Sequence, residues 1–118
     1  GENLLYLPQA KVYHRSCAVG PWVRVGATEV DAREWDISMQ INRGGETVFE
    51  RTVSVNQIKR NFGELSVAMF QSQVFPFGCA LLTGTGIVPD DVFTLEEGDA
   101  VRIRISGVGS LNNPVVRV

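Results

Sequence analysis

The sequence predicts a single, mainly β domain of the α+β class that contains one amphipathic helix near residues 55–72. Two segments alternate between apolar and polar residues, which is the pattern of half-buried strands. Between them, apolar residues recur at spacings of three and four, which is typical of one helical face. A chain of 118 residues buries about 65% of the surface that it exposes when unfolded, so we expect one core.

The first segment, residues 4–25, is apolar and is interrupted by Pro8, Gly20 and Pro21. Proline and glycine interrupt helices, so short strands joined by turns are expected there rather than a helix. Because most of its side chains are apolar, we expect this segment to pass through the core.

A β-hairpin is predicted over residues 35–53. Its first strand has one apolar face and one polar face, the apolar face consisting of Trp35, Ile37, Met39 and Ile41. Residues 42–46 contain the adjacent pair Gly44 and Gly45, which a tight reversal favours. Residues 47–53 are rich in β-branched side chains and are expected to form the returning strand.

The helix is predicted to begin at Ser54, because Ser54 and Gln57 have the spacing of a capping box. Its apolar face is formed by Val55, Ile58, Phe62, Leu65 and Met69, and Gly63 lowers the helix propensity slightly. The next apolar run, residues 79–82, predicts a buried strand that ends in the sequence TGTG, residues 83–86.

The last third of the chain predicts one more strand and, after a reversal, a final segment. Residues 97–99 form a turn, after which Val101, Ile103 and Ile105 alternate with polar residues. Gly107 and Gly109 allow a reversal into the final segment, residues 111–118.

Composition excludes several classes of partner. The net charge is −2 and the 11 Lys and Arg residues are scattered, so a nucleic acid is not expected. No apolar run reaches the ~18 residues of a membrane span, and the chain does not start with a signal peptide, so we expect no membrane partner and a cytoplasmic protein. Cys17 and Cys79 lie in apolar stretches and are expected to be reduced and partly buried, since two cysteines without a secretion signal are weak support for a disulfide.

The residues alone give weak signals for catalysis or metal binding. The pairs Glu29/Asp31 and Glu34/Asp36 could each present two carboxylates, but solvated side chains explain them more simply. His14 is the single histidine and has no nucleophile motif near it, so a surface role is favoured. Cys17 lacks the basic neighbours that would make it a thiolate, so packing is favoured.

Two features remain open at this level. Lys11 lies between apolar residues in LPQAKVY, where its amine must reach water or meet a negative charge. In the TGTG sequence, Gly84 and Gly86 allow a close approach of the backbone to a ligand, and Thr83 and Thr85 offer hydroxyl groups. The same sequence also fits a simple turn that ends a strand.

Three stretches together carry a family resemblance: LYLPQAKVYHRSCAVGPWV, FPFGCALLTGTGIVP and FTLEEGDAVRIRISGVGSLNNPV. In order and spacing they resemble the C-terminal half of the fumarylacetoacetate hydrolase superfamily, and the opening GENLLYLPQAK is most similar to its 2-keto-3-deoxy-arabinonate dehydratase branch. The resemblance implies a mixed β-roll fold and an enzyme of small 2-oxo acids, normally a homodimer. It also implies dependence on Mg²⁺, with Mn²⁺ or Ca²⁺ as alternatives.

The resemblance also implies roles for individual residues. Lys11 matches the active-site lysine, and Thr85 matches the threonine that holds the substrate carboxylate. Ser16, Gly84 and Gly86 are expected to contribute to substrate binding, whereas Thr83 is expected to belong to the strand. The family's metal ligands, a Glu-x-Glu pair and an Asp, precede the lysine, and the Asp would lie several residues before Gly1. No metal ligand is therefore assigned here, and the chain is expected to be the C-terminal portion of a longer enzyme and inactive alone.

Two classes of function follow. In the first, the chain is part of a Mg²⁺-dependent enzyme that forms an enolate of a 2-oxo acid. Such an enzyme would be a C–C hydrolase or a dehydratase of 2-keto-3-deoxy sugar acids. The second is a non-catalytic β-domain for dimerisation or scaffolding, in which the TGTG sequence is only a turn.

Overall fold

A computed structural model describes residues 11–118 of the chain. Within them, four strands form one antiparallel sheet in the order β2-β1-β3-β4. The elements in chain order are helix α1 (Glu29–Arg33), β1 (Asp36–Arg43), β2 (Glu46–Ser54), a 3₁₀ helix (Val55–Gln57), helix α2 (Phe62–Phe70), β3 (Ala100–Ile105) and β4 (Gly109–Pro114). The predicted fold class, mainly antiparallel β with an amphipathic helix after the hairpin, is confirmed.

The predicted hairpin is present as β1 and β2. Gly44 and Gly45 have φ values of 59° and 90°, and both central residues of a type I′ turn require positive φ. The register pairs Arg43 with Glu46 and shifts between Ile41 and Asn42, which marks a β-bulge. The glycine pair therefore sets the turn type, as the sequence predicts.

The predicted alternation in β3 is also present. Ile103 lies opposite Met39 on β1, and Val101 lies opposite Ile41, so the apolar faces of the two strands coincide. After the predicted reversal the chain forms β4, Gly109–Pro114, which includes the first part of the final segment, residues 111–118. Directly after β4, the N–H of Val115 donates to the carbonyl of Asp99 at 2.8 Å, so β4 is also bound to the predicted turn at residues 97–99.

The described core lies on one face of this sheet. Ile41, Val55 and Ile87 are the buried apolar residues of the described range. Ile87 follows the TGTG sequence and lines an apolar cleft together with Met39 and Ile41. The segment after TGTG therefore covers the apolar face of the sheet, and this brings residues 83–86 next to β2.

Short strands that pass through the core were predicted over residues 4–25, of which residues 4–10 lie outside the described range. In the described part, residues 11–25, this prediction is wrong. Residues 11–25 form no strand. Their apolar side chains are exposed rather than buried, with Val23 at 82% and Val25 at 84%. Apolar composition alone therefore failed to identify a core segment: Trp22 packs against Gly109 of β4, yet it is still 64% exposed.

The predicted helix over residues 55–72 is divided into two. Ser54 caps only the 3₁₀ helix, accepting from the N–H of Asn56, and a new cap at Asn61 begins α2. In a continuous helix the carbonyl of Ile58 would accept from the N–H of Phe62. Instead, Arg33 donates to that carbonyl at 2.8 Å and the N–H of Phe62 donates to Glu29 at 2.9 Å. No helix in the described residues is long and apolar enough to cross a membrane.

The predicted buried strand over residues 79–82 is also wrong. These residues are irregular and exposed, with Leu82 at 69%. A strand requires a neighbour for its backbone hydrogen bonds, and within residues 11–118 this segment pairs with neither edge of the sheet. Cys17 and Cys79 are both free and exposed, so the expected partial burial of these thiols is wrong as well.

Gly107, in the turn between β3 and β4, packs directly against a tryptophan. A Cβ atom there would lie 2.0 to 2.5 Å from the indole ring of Trp35, which is far below van der Waals contact. We expect Gly107→Ala to lower the free energy of unfolding by about 1–3 kcal/mol, because the ring must move. Urea denaturation checks this, with Gly63→Ala in α2 as the control, since its Cβ meets only an oxygen at 3.4 Å. Equal stability of both variants would contradict this packing.

Candidate substrate-binding cleft

A cleft of about 350 Å³ lies between the TGTG segment and the end of β2. Residues 83–86 form one wall, and the other wall consists of the polar residues Ser54, Gln57, Lys59 and Arg60 from the end of β2, the 3₁₀ helix and the loop that follows it. The apolar residues of the lining are termed the floor, and they are Ile37, Val53, Val55, Ile58 and Leu65. A volume of this size is at the lower end of the range for small-molecule sites.

Thr85, predicted as the carboxylate-binding residue, lines this cleft and is fixed by a local hydrogen bond. Its hydroxyl oxygen accepts from the N–H of Ile87 at 3.0 Å, and the hydroxyl donates to the carbonyl of Ile87 at 3.3 Å. These two bonds orient the hydroxyl, and a ligand carboxylate would take the place of the Ile87 carbonyl as the acceptor of its one hydrogen. Thr85 is exposed, so the hydroxyl group is accessible to a ligand.

Of the two glycines in the turn, the backbone conformation requires glycine at Gly84 and not at Gly86. Gly84 has a φ of 93°, which L-residues with a side chain rarely adopt. Gly86 faces β2, where an added Cβ would lie 3.7 Å from Val53, an ordinary contact. Thr83, expected to belong to a strand, lines the cleft with them. The structure therefore brings Gly84, Thr85 and Gly86 together in one wall.

The opposite wall contains two cations that the sequence analysis did not single out. Lys59 and Arg60 line the cleft, and no described acidic residue does. Ser54 and Gln57 add a hydroxyl and an amide. The adjacent Lys-Arg pair was visible in the sequence, but it falls within the helix predicted over residues 55–72, where such residues are usually solvated.

A network from α1 fixes the loop that carries these cations. Arg33 donates to the carbonyl oxygens of Ile58 and Arg60 at 2.8 and 3.0 Å, and its guanidinium lies over the ring of Phe62 at 5.4 Å. Glu29 accepts from Arg33 at 2.7 Å and from the N–H of Phe62 at 2.9 Å. The hydrogen bond from Arg33 lowers the pKa of the Glu29 carboxyl. Carbonyls on either side of Lys59 are thereby held in place.

Ser16 and Lys11 lie elsewhere in the described structure. Ser16 lines a separate cleft of about 480 Å³ with Tyr13 and residues near the C-terminus, and its hydroxyl donates to the carbonyl of Lys11 at 3.0 Å. Lys11 is exposed. The structure therefore does not bring Ser16 into the cleft of Thr85, and the catalytic role of Lys11 stays a prediction.

Within residues 11–118 the acidic side chains do not form a metal site. No three His, Cys, Asp or Glu side chains in that range lie close enough together to hold an ion. Glu29 is paired with Arg33, and Asp31 completes a capping box with Thr28 at the start of α1. Both members of the first carboxylate pair therefore have structural roles, and the described residues do not by themselves fit a magnesium ion.

The comparison with protein families identifies the chain. The family model described as fumarylacetoacetate (FAA) hydrolase C-terminal matches residues 3–116. The chain belongs to this family. The predicted resemblance is confirmed, and it extends over nearly the whole length of this FAA hydrolase family member.

Two of the relatives carry the names of sugar-acid dehydratases. The chain is 42% identical over 118 residues to a probable 2-keto-3-deoxyxylonate dehydratase of Haloferax volcanii, covering all of this chain and 41% of that protein. It is 38% identical over 114 residues to 2-dehydro-3-deoxy-D-arabinonate dehydratase of Saccharolobus solfataricus, covering 97% of this chain and 38% of that protein. The chain spans about two fifths of the length of these relatives.

Solved structures agree with the sequence comparison. A hexagonal crystal form of 2-keto-3-deoxyarabinonate dehydratase superposes with a TM-score of 0.91 at 36% identity, over 98% of this chain and 40% of that one. A 2-keto-3-deoxy-D-arabinonate dehydratase complexed with magnesium and 2,5-dioxopentanoate superposes with a TM-score of 0.88 at 37% identity, over 95% of this chain and 40% of that one. The predicted FAA hydrolase fold and the dehydratase-like branch are thus confirmed.

Proposed function

We propose that this chain is the substrate-clamping portion of a Mg²⁺-dependent dehydratase of 2-keto-3-deoxy sugar acids. The observation that carries the proposal is the cleft in which Thr85 offers an oriented hydroxyl beside two cationic residues. A cleft of this character suits a small anion with hydroxyl groups. The names of the relatives support a dehydratase more than a C–C hydrolase.

The chemistry of the substrate explains what the chain must do. A base takes a proton from the carbon next to the ketone, which gives an enolate, and the hydroxyl group on the following carbon then accepts a proton and leaves as water. The unsaturated 2-oxo acid that remains tautomerises to 2,5-dioxopentanoate. Negative charge therefore develops on the ketone oxygen, and fixed donors or cations near that oxygen lower the barrier. The family resemblance supplies the role of Lys11, which does not line the cleft of Thr85 in the described residues: in this proposal its ammonium reaches that oxygen in the longer protein. Thr85 donates to the substrate carboxylate and fixes its orientation.

Magnesium enters the proposal through the relatives, because one neighbouring structure is a complex with magnesium. Residues 11–118 contain no cluster of ligands that fits such an ion. We therefore take the metal ligands to lie outside the described residues, in a preceding part of a longer chain. The 118 residues alone are accordingly expected to bind Mg²⁺ poorly and to be inactive.

A cytoplasmic homodimer is part of the same proposal. Apolar side chains on and after α2 are exposed, among them Val67 at 71%, Val74 at 92% and Phe77 at 100%. An apolar surface of this kind favours contact with another protein surface. Either a second copy or the preceding part of the longer chain would cover it, and the molar mass of the longer protein by light scattering separates a homodimer from a monomer.

The proposed activity has a direct test on the protein that carries this chain. We expect it to convert 2-keto-3-deoxy-D-arabinonate or 2-keto-3-deoxyxylonate to 2,5-dioxopentanoate, and we expect EDTA to lower the rate by about 100-fold or more. Added Mg²⁺ should restore the rate. Acylpyruvates serve as the comparison, since their cleavage would indicate a C–C hydrolase. Absence of turnover of any of these acids would favour a non-catalytic scaffold, and turnover unaffected by EDTA would contradict the dependence on a metal.

A further inference from the structure

We infer that Lys59 and Arg60 form a cationic wall that binds the substrate carboxylate in the cleft that Thr85 also lines. The inference concerns the same cleft as the proposed function and rests on it for the identity of the substrate. It assigns charge recognition to two residues that neither the family resemblance nor the sequence pattern singled out.

The charge of the cleft differs from that of the chain. The whole chain is acidic, with 13 Asp and Glu residues against 11 Lys and Arg residues. The described lining of the cleft nevertheless contains two cations and no acidic residue. A cleft with charge of one sign over an apolar floor concentrates ligands of the opposite sign. An anion is therefore the ligand class that this lining favours.

The wall is fixed before a ligand arrives. Arg33 holds the carbonyl groups of Ile58 and Arg60, which flank Lys59, and Glu29 holds the N–H of Phe62. The side chains of Arg33 and Glu29 are only 22% and 31% exposed. These bonds fix the backbone from which Lys59 and Arg60 project, so on binding a ligand has to order only the two exposed side chains and not the loop itself.

The two walls differ in the kind of contact that they can make with a carboxylate. Thr85 offers one oriented hydroxyl, whereas lysine and arginine offer several donors and full positive charge. The apolar floor between the walls excludes water from the carbon chain of the acid. Together these features favour a 2-oxo acid over its neutral amide.

Equilibrium binding of pyruvate tests the cationic wall on the protein that carries this chain. We expect the double variant Lys59→Gln/Arg60→Gln to weaken pyruvate binding by at least about tenfold, as two charge-assisted contacts are lost. Neutral pyruvamide should bind weakly to the wild type and equally weakly to the variant. Calorimetry or NMR titration gives both dissociation constants, and thermal unfolding checks that the variant is folded.

Arg102→Gln/Arg104→Gln is the matched control. These two arginines lie on β3, are exposed, and form no ion pair with another residue of the range 11–118. Replacing both arginines removes the same amount of charge as the Lys59/Arg60 variant, but from the polar face of the sheet and outside the cleft of Thr85. Pyruvate affinity should be within about twofold of wild type in this variant, since distant surface charges are screened by salt.

The outcomes separate this inference from the proposed function. Pyruvate binding that is unchanged in the Lys59/Arg60 variant, or weakened equally in the control, would overturn the cationic wall. If the Lys59/Arg60 variant dehydrates the sugar acid with an unchanged KM, the cationic wall would also be overturned, but the proposed dehydratase function would stand. Charge-dependent pyruvate binding at these residues without dehydration of any sugar acid would support the wall and remove the dehydratase.

Discussion

Lys11→Ala is expected to lower the rate of dehydration by about 10²–10⁴-fold in the protein that carries this chain. The reason is that the ammonium group is lost beside the oxygen on which negative charge develops. Because Lys11 is exposed, its replacement should leave folding nearly intact. Steady-state kinetics measure the effect, and it should fall on kcat more than on KM, since the charge is greatest in the transition state.

Arg102→Ala provides the control for loss of a cation. Arg102 is an exposed residue of β3 and lines a different cleft from that of Thr85. Its replacement should change kcat by less than about twofold, because a distant charge is screened. A wild-type kcat in the Lys11→Ala variant would mean that Lys11 is an ordinary surface residue with no role in the reaction.

Thr85 should show a graded series, because its hydroxyl has two functions. The oxygen accepts from the N–H of Ile87, and the hydroxyl donates to the carbonyl of Ile87 at 3.3 Å, an acceptor that a substrate carboxylate would replace. Thr85→Ala removes both contacts and is expected to lower kcat/KM by about 10- to 100-fold. Thr85→Ser keeps both and should be close to wild type. Equal kinetics of the alanine and serine variants would mean that the TGTG segment is only a turn.

The hairpin could be predicted from the sequence because its determinants are local. Gly44 and Gly45 fix the turn, and alternation fixes which side chains face the core. The division of the predicted helix could not be found in the same way. It depends on Arg33 and Glu29, which lie 25 or more residues earlier in the chain than the backbone groups that they bind. A periodic pattern contains no information about such distant hydrogen bonds.

The candidate site shows the same limit. Thr85 could be proposed from the resemblance and does line a cleft, whereas Ser16 lies in a different cleft. Lys59 and Arg60 were missed because a charged pair in a predicted helix is indistinguishable from a solvated surface. Their position in the cleft follows from the loop that Arg33 holds, and that loop became visible only with the tertiary structure.

A buried ion pair joins the end of β1 to the loop before β3, and the sequence analysis placed both partners only in turns. Asp99 is 1% exposed and accepts two hydrogen bonds from Arg43, each at 2.8 Å, and one from the N–H of Glu96 at 2.9 Å. Arg43 also donates to the carbonyl of Thr94 at 2.8 Å and lies over the ring of Phe93 at 5.7 Å. Every charged atom of Asp99 is therefore paired.

Asp99→Asn is expected to lower the melting temperature by more than about 10 °C. The neutral amide cannot accept on both sides, so a guanidinium group held in a largely buried position loses its main counter-charge. Differential scanning calorimetry measures the change. Glu96→Gln is the matched control, since Glu96 pairs with the same Arg43 but is 62% exposed, and exposed pairs contribute little. We expect that variant to melt within a few degrees of wild type.

The same pair predicts how acid destabilises the protein. The hydrogen bonds from Arg43, followed by the N–H of Glu96, lower the pKa of Asp99 from 3.8 to about 2. Because the folded state holds this carboxyl with the lower pKa, its contribution to stability is complete above about pH 4 and is lost as the pH falls toward 2. Asp99→Asn should lack this part of the acid dependence, so the stability difference between wild type and variant should narrow below pH 4. A difference that stays constant from pH 7 to pH 2 would show that the Asp99 carboxylate does not stabilise the fold through its charge.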